Sequence, residues 1–337
     1  MRRTGLAAAA AFMLLPAAGM AHDGHGTVPQ QLAQAAGPAP AAPAATGAWY
    51  PSKYGANDQI GAMNLLTPQK VLEAAKLVQR GQVYALGVPV GRDTPAFPPR
   101  SASVTVMMPD QFAGNLVPSE NKMSYADDMF TGWLGVGSQI DSFAHLGIDN
   151  TFYNGNKAAD FMRTTGVTKL GVEGIPPMVS RGVLVNMAQA RNKPMLEEGE
   201  IITADDLRAA MQAQGVEVRQ GDVILIHTGW VEMLDRDPAR FGKGEPGIDA
   251  GAAEFLAGLG VVAVGADTWG VEAVPFKNPN RVWEGHQVLL AKNGIHILEV
   301  MDTRALARDG AKEFLFVLGQ PRLKGAVQAI INPVAIR

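Results

Sequence analysis

The segment GSQIDSFAHLG, residues 137–147, carries three side chains whose types could do chemistry. Gln139, Asp141 and His145 supply an amide, a carboxylate and an imidazole, groups that can hold a divalent ion or transfer a proton. Alternate residues of a β-strand face the same side, so an extended segment would place all three on one face together with Phe143. Taken alone, the segment is better explained as ordinary sheet, with Asp141 bonded to a turn and His145 satisfied in the core.

A second cluster changes that balance. The segment GHQVLLAKNGIHILE supplies His286 and Glu299, separated by an apolar helix-like run and a turn at Asn293-Gly294. The chain has no cysteine, so a metal ion could be held only by nitrogen and oxygen ligands. If His286 and Glu299 meet Asp141, these residues predict either such a metal site or a hydrogen-bonded site without metal.

Other polar candidates follow apolar strands. His227 in VILIHTGW is interpreted first as a core histidine bonded to backbone, and otherwise as a residue that supports the site. Asp267 and Glu272 follow the apolar run GVVAVGA, at the strand end where open α/β sheets place their sites. We therefore expect them to contact substrate or to support the residues that do.

Two tryptophans could form walls for an aromatic or cyclic substrate. Trp133 precedes the first cluster and Trp269 follows the strand that contains Asp267. Aromatic residues near strand ends are more often plain core, and that alternative stays open for both. His296 is expected to be packed or exposed and not catalytic.

Composition limits the class of partner. The 337 residues are 47% hydrophobic and 18% charged, which is typical of a folded globular chain. The formal charge is −3, and no stripe of Lys and Arg is present that could neutralise phosphates, so nucleic acid is not an expected partner. A small-molecule substrate is expected instead.

The N-terminal residues have the layout of an export signal. Two arginines precede an apolar run, residues 6–15, which is too short to span a membrane as a helix. We expect a signal peptide over 1–21, cleaved after Ala21, and a flexible Ala/Pro/Gly-rich linker over 22–47. The mature protein is therefore predicted to be periplasmic or secreted and not attached to a membrane.

Residues 48–337 show the pattern of one α/β domain. One helix is predicted from the N-cap Thr67 to Gly81 and another from Thr203 to Gly215, where Thr203 and Asp206 form a capping box. The first helix would bury a face made of Val71, Leu72, Ala75 and Val78. Strands are predicted in VYALGVPV, DVILIHTGW and GVVAVGADTWG, and runs as apolar as the last two indicate a mixed sheet covered by helices.

These segments resemble the cyclase family, which includes bacterial kynurenine formamidases and, as relatives, isatin hydrolases. The family signature is His-x-Gly-Thr-His-x-Asp-x-x-x-His, and the chain reads GVGSQIDSFAH over 135–145. Gly135 and Gln139 replace the two leading histidines, whereas Asp141 and His145 are kept. The resemblance continues in the blocks NDQIGAMNLLTPQKVLEAAKLVQRGQVYALGVPV, ITADDLRAAMQAQGVEVRQGDVILIHTGW, GHQVLLAKNGIHILE and NPVAIR, and so covers nearly everything after the linker. Residues 48–337 are accordingly expected to be a cyclase-family catalytic domain of the longer subgroup.

The resemblance implies a swivelling β/β/α fold with a mixed sheet and self-association as a homodimer or homotetramer. It also implies that Asp141, His286 and Glu299 bind metal and that His145 transfers protons. Gln139 would offer an amide oxygen, which weakens a zinc site and suits a harder ion, so one Mn²⁺ or Zn²⁺ ion is expected.

The activity implied is metal-dependent hydrolysis of an amide, cyclic amide or lactone. The enzyme class expected from it is a hydrolase of carbon–nitrogen bonds other than peptide bonds. Two alternatives stay open on the same fold. One is a binding protein that has lost catalysis with the two histidines, and the other is a lyase or cyclisation reaction with His145 as base.

Overall fold

The computed structural model describes residues 49–107 and 120–337. The predicted signal peptide and linker lie outside these residues. The strands are β1 (Val83–Ala85), β2 (Ala102–Met107), β3 (Asp127–Gly132), β4 (Gln139–Asp141), β5 (Thr151–Phe152), β6 (Asn156–Lys157), β7 (Met178–Asn186), β8 (Ile201–Ile202), β9 (Val223–His227), β10 (Gly247–Ile248), β11 (Ala263–Ala266), β12 (His296–Glu299), β13 (Glu313–Leu318), β14 (Gln328–Ile330) and β15 (Val334–Ile336).

Nine of these strands form one mixed sheet in the order β1-β15-β13-β7-β9-β11-β12-β4-β14. The four central strands, β7, β9, β11 and β12, run parallel to one another. Antiparallel strands extend the sheet on both sides, with β13 on β7 and β4 on β12. The α/β class with a mixed sheet, predicted from the sequence, is confirmed.

The apolar strands lie at the centre of the core. Every residue of β9 and β11 is buried, as expected for parallel strands covered on both faces. The helices are α1 (Pro68–Ala75), α2 (Ala158–Phe161), α3 (Met187–Ala190), α4 (Ala204–Gln214), α5 (Met233–Arg236), α6 (Pro238–Phe241), α7 (Ala250–Gly258), α8 (Glu284–His286) and α9 (Arg304–Arg308), with a π-helix over Gln287–Lys292. No helix among the described residues is long and apolar enough to cross a membrane.

Helix α4 has the predicted caps. The Thr203 hydroxyl accepts from the backbone N–H of Asp206, whose carboxylate accepts from the Thr203 N–H in return. At the other end Gly215 adopts the left-handed conformation, with φ of 65°.

Helix α1 differs from its prediction in length and in the face it buries. It starts at the N-cap Thr67 as expected but ends at Ala75, well before Gly81. The backbone N–H groups at positions 80 and 82 donate to the carbonyl of Arg337, so this stretch already joins the sheet edge and cannot continue the helix. Small Ala74 faces the core, whereas Leu72 is 60% exposed. The predicted apolar face was wrong because packing against β7 and β13, and not local periodicity, sets the helix orientation.

Strands β2 and β3 form a separate hairpin that pairs, within the described residues, with no third strand. The hairpin is exposed along most of its length, and Trp133, directly after β3, is 49% exposed.

Candidate active site

Asp141, His286 and Glu299 come together as a buried cluster. Strands β4 and β12 are antiparallel neighbours, with Glu299 opposite Gln139. Alternate residues of a strand share a face, so Asp141 lies on the same side as Gln139. His286 reaches this side from helix α8, where its Nε2 lies 3.2 Å from Glu299 Oε1 and 3.7 Å from Asp141 Oδ2.

His145 reaches the cluster by a bend and not along an extended strand. Strand β4 ends at Asp141, and the N–H of His145 donates to the carbonyl of Ser142 in a turn. Phe143 consequently turns into the core and stacks on His296, with ring centroids 4.2 Å apart. The prediction of one continuous polar face was therefore wrong beyond Asp141, although His145 Nε2 still lies 3.9 Å from Asp141 Oδ2.

The cluster is suited to a divalent ion. One potential ligand atom from each of Asp141, His286 and Glu299 lies within 4.8 Å of the others. Asp141 Oδ1 accepts from Gln328 Nε2 at 2.8 Å, but its buried Oδ2 has no hydrogen-bond partner among the described residues. A buried carboxylate oxygen without a partner is costly, and a metal ion would satisfy it.

The raised pKa of Glu299 is also consistent with a cation site. Burial, together with the neighbouring charge of Asp141, raises the pKa of Glu299 to about 7 against the opposing effect of His286. Two buried carboxylates this close repel each other unless a cation lies between them. The nitrogen and oxygen donors present fit Mn²⁺ and also Zn²⁺.

Glu272 holds His286 in place. Its Oε1 accepts from the Nδ1–H of His286 at 2.8 Å and from the backbone N–H of the same residue at 2.7 Å. This fixes the ring so that Nε2 faces Asp141 and Glu299, the arrangement typical of metal-binding histidines. Burial opposes protonation of His286, but the bonds to Glu272 and Glu299 outweigh it and raise the pKa to about 10.

The side-chain amide of Gln139 is hydrogen-bonded to the carboxylate of Glu299 in the cluster. Its Nε2 donates to Glu299 Oε2, which leaves its oxygen on the side towards Gly135. Its assignment as a metal ligand stays a prediction.

A cavity of about 230 Å³ opens onto the cluster. Its apolar walls include Trp269, which stacks on Phe97 at 5.2 Å, and Trp283. Its lining residues are Phe97, Arg100, His145, Leu146, Trp269, Trp283, His286 and Glu299. A larger groove of about 550 Å³ passes Phe276 and Lys277, but the smaller cavity is the one that contacts the cluster.

His145 lines this cavity. Burial lowers the pKa of His145, and the positive charges of His286 and Arg100 lower it as well, against the opposite effect of Asp141. A neutral imidazole at neutral pH can accept a proton.

The remaining candidates support the site or lie away from it. His227 Nδ1 lies 2.7 Å from Thr303 Oγ1 and 3.2 Å from Asp267 Oδ2, so its partners are side chains and not the backbone that we expected. Asp267 accepts from the backbone N–H groups of Thr228 and Gly229 and thereby fixes the loop after β9. Neither residue lines the cavity, and Trp133 belongs to the hairpin end instead.

Several residues of the site escaped the sequence reasoning. Phe97 and Arg100 come from a loop without periodicity, and Trp283 precedes a three-residue helix. Gln328 becomes visible only through strand pairing, which places it opposite Asp141. His296 is packed as expected, and its Nδ1–H donates to the carbonyl of Asp141 at 2.9 Å.

Comparisons with known proteins show the family and the fold. The family model "Putative cyclase" matches residues 84–273. A crystal structure of a novel cyclase is 30% identical and has a TM-score of 0.77, over 85% of this chain and 98% of that one. No match was found among curated proteins.

Isatin hydrolases share the fold at lower identity. One, bound to the product analogue thioisatinate, has 17% identity and a TM-score of 0.58, over 80% of this chain and 98% of its own. Isatin hydrolase A from Ralstonia solanacearum has 19% identity and a TM-score of 0.56, over 81% of this chain and 98% of its own. These matches confirm the predicted cyclase-type α/β fold, and the chain belongs to the cyclase family.

Proposed function

We propose that this protein is an exported, metal-dependent hydrolase that opens an amide, a cyclic amide or a lactone. One observation carries the proposal: Asp141, His286 and Glu299 converge beside a cavity, and the buried Oδ2 of Asp141 lacks a hydrogen-bond partner among the described residues. One Mn²⁺ or Zn²⁺ ion is proposed, held by these three residues with Gln139 beside them.

A divalent ion bound there would polarise the substrate carbonyl and lower the pKa of water. His145, kept neutral by burial, accepts a proton from the attacking water. The water oxygen bonds to the carbonyl carbon, and the carbon–nitrogen or carbon–oxygen bond of the substrate breaks. His145 returns its proton to the leaving atom, and the acyl group ends as a carboxylate.

Two features support this reaction class. The structural neighbours include isatin hydrolases, whose names describe hydrolysis. The cavity is walled by Phe97, Trp269 and Trp283, which suits a planar ring. An aromatic or cyclic acyl compound is accordingly the proposed substrate, and cleavage of a carbon–nitrogen bond is the proposed chemistry.

The first test measures metal content together with hydrolysis. Purified protein without residues 1–21 would be loaded with Mn²⁺ or Zn²⁺, its metal measured by elemental analysis, and formamides, cyclic amides and lactones screened. We expect about one ion per chain, and expect Asp141→Asn to lose both the ion and turnover. Asp160→Asn is the matched control and should behave as wild type, because Asp160 is exposed on helix α2.

Other outcomes identify the alternatives. Ligand binding without metal or turnover would indicate a binding protein on this fold. Products that lack an added oxygen from ¹⁸O-labelled water would indicate a lyase or a cyclisation and would overturn the hydrolase.

Export is proposed from the sequence of residues 1–21. Expression of the full chain in a Gram-negative host should place it in the periplasm, with a mature N-terminus at His22 by mass spectrometry. A chain without residues 1–21 is the control and should stay in the cytoplasm. Retention of the uncleaved full chain in the cytoplasm would contradict export.

A further inference from the structure

Arg100 brings a positive charge to the cavity. Its Nη1 donates to the carbonyl of Gly135 at 3.1 Å, and no ion pair is formed with any carboxylate of the described residues. The residue is half-buried and lines the cavity together with His145 and Glu299.

The guanidinium also fills the space that a side chain at position 135 would need. A Cβ atom built on Gly135 would lie 2.7 Å from Arg100 Nη1, 2.7 Å from Gln328 Oε1 and 3.0 Å from Gln139 Oε1. Separations this short require the neighbours to shift. The Arg100 guanidinium can therefore occupy this position beside the cluster because residue 135 is a glycine.

An unpaired guanidinium in a cavity with aromatic walls is suited to an anionic ligand. Arg presents five N–H donors in a planar fork that matches a carboxylate, and the bond to Gly135 uses one of them. Asp141 and Glu299 are the nearby acids, and both belong to the proposed metal cluster. The remaining donors of Arg100 are available to a bound molecule.

We propose that Arg100 is a specificity-determining residue that binds the acyl oxygens of the ligand, and that the cavity selects small aromatic carboxylates as products. This inference rests on the proposed hydrolase function, because hydrolysis is what turns the acyl group into a carboxylate. Beyond that function, the inference specifies the charge and shape of the product. It predicts poor binding of rings that carry a cationic group next to the acyl carbon.

The test uses benzoate as the probe and benzamide as its neutral counterpart. Quenching of fluorescence from Trp269 and Trp283 would report binding to protein with and without Mn²⁺. We expect wild type to prefer benzoate, and expect Arg100→Met to weaken benzoate about 10- to 100-fold, the range for a hydrogen bond to a charged group. Arg100→Lys should restore part of the loss. Benzamide, whose neutral oxygen accepts a weaker hydrogen bond than a carboxylate, should lose less affinity than benzoate in Arg100→Met.

Arg92→Met is the matched control, because Arg92 is exposed on the same loop and does not line this cavity. Circular dichroism and metal content, measured for every variant, show whether the fold and the cluster are intact. Equal benzoate affinity in wild type and a folded Arg100→Met variant would overturn the proposal, as would a wild type that does not prefer benzoate. Arg100-dependent benzoate binding without metal or turnover would instead refute the hydrolase and leave the anion site standing.

Discussion

At the scale of single residues, the site concentrates titratable groups that control one another's charge. Asp141 and Glu299 face a single imidazole, His286, whose other nitrogen is bonded to Glu272. His145 stands apart from this chain of bonds and approaches Asp141 only to 3.9 Å. This separation fits the two proposed roles. Asp141, His286 and Glu299 bind the metal ion, and His145 transfers protons.

His145→Gln tests that division. The change removes the base but keeps a polar side chain, so we expect the rate constant of hydrolysis to fall about 10²- to 10⁴-fold. Metal content should stay as in wild type, because the proposed ligands are unchanged. Loss of metal in His145→Gln would contradict the separate role, and elemental analysis beside steady-state kinetics decides between the two results.

Metal binding should strengthen as pH rises. His286, with a pKa raised to about 10 by Glu272 and Glu299 against the effect of burial, is protonated at neutral pH, and a metal ion must displace that proton. Each proton released makes the affinity about tenfold tighter per pH unit below the pKa. Competition with a chelating dye between pH 6 and 9 measures the slope, and a flat profile would show that His286 is not a ligand.

At the scale of elements, the ligands depend on how neighbouring segments hold them. His286 sits where the short helix α8 continues into a π-helix, a form found often at functional sites. Glu272, in the segment after β11, fixes both the backbone and the ring of His286. The position of the His286 ring therefore depends on the contact between helix α8 and the segment after β11.

Glu272→Gln should loosen that contact. The amide keeps the size of the side chain but removes its charge, so we expect metal affinity to fall about 10- to 100-fold. Glu284→Gln is the control, because Glu284 lies two residues before His286 and pairs with Arg281 on the surface. Isothermal titration with Mn²⁺ measures both, and equal losses in the two variants would argue against a specific role for Glu272.

The elements also show what sequence reasoning can reach. The caps of α4 and the apolar runs of β9 and β11 are local signals, and both predictions were confirmed. The face of α1 and the bend after Asp141 depend on tertiary packing, and the local patterns there were misleading. Asp141, His286 and Glu299 were predicted from their residue types and from the family resemblance, whereas Arg100 and Gln328 could be found only from the folded chain.

At the scale of the whole molecule, the β2–β3 hairpin is an exposed ribbon with apolar side chains on both faces. Val104 and Phe130 are opposite one another on one face, and Met129 lies on the other. Exposure of apolar side chains to water is unfavourable, and exposed apolar surfaces of this kind are often buried against another chain. Self-association through this hairpin is our proposal for the homodimer or homotetramer expected from the family.

Light scattering after size exclusion tests the assembly. We expect two or four times the mass of one chain, and expect Val106→Glu with Phe130→Glu to shift the protein towards monomer. Leu72→Glu, on the exposed side of α1, is the control and should leave the mass unchanged. A monomeric wild type would refute the proposal.

The strand pairing around Asp141 also bears on how the protein matures. Gln139 and its partner Glu299 are 160 positions apart, and Asp141 and Gln328 are 187 apart. No short stretch of the unfolded chain therefore contains Asp141 together with Glu299, so the complete set of proposed ligands forms only when β4 pairs with β12. Metal supplied at 100 times its dissociation constant would then shift the equilibrium towards the native chain by about 2.7 kcal/mol. If the chain is exported as proposed, it would fold outside the cytoplasm, and the metal ions available there would determine this part of its stability.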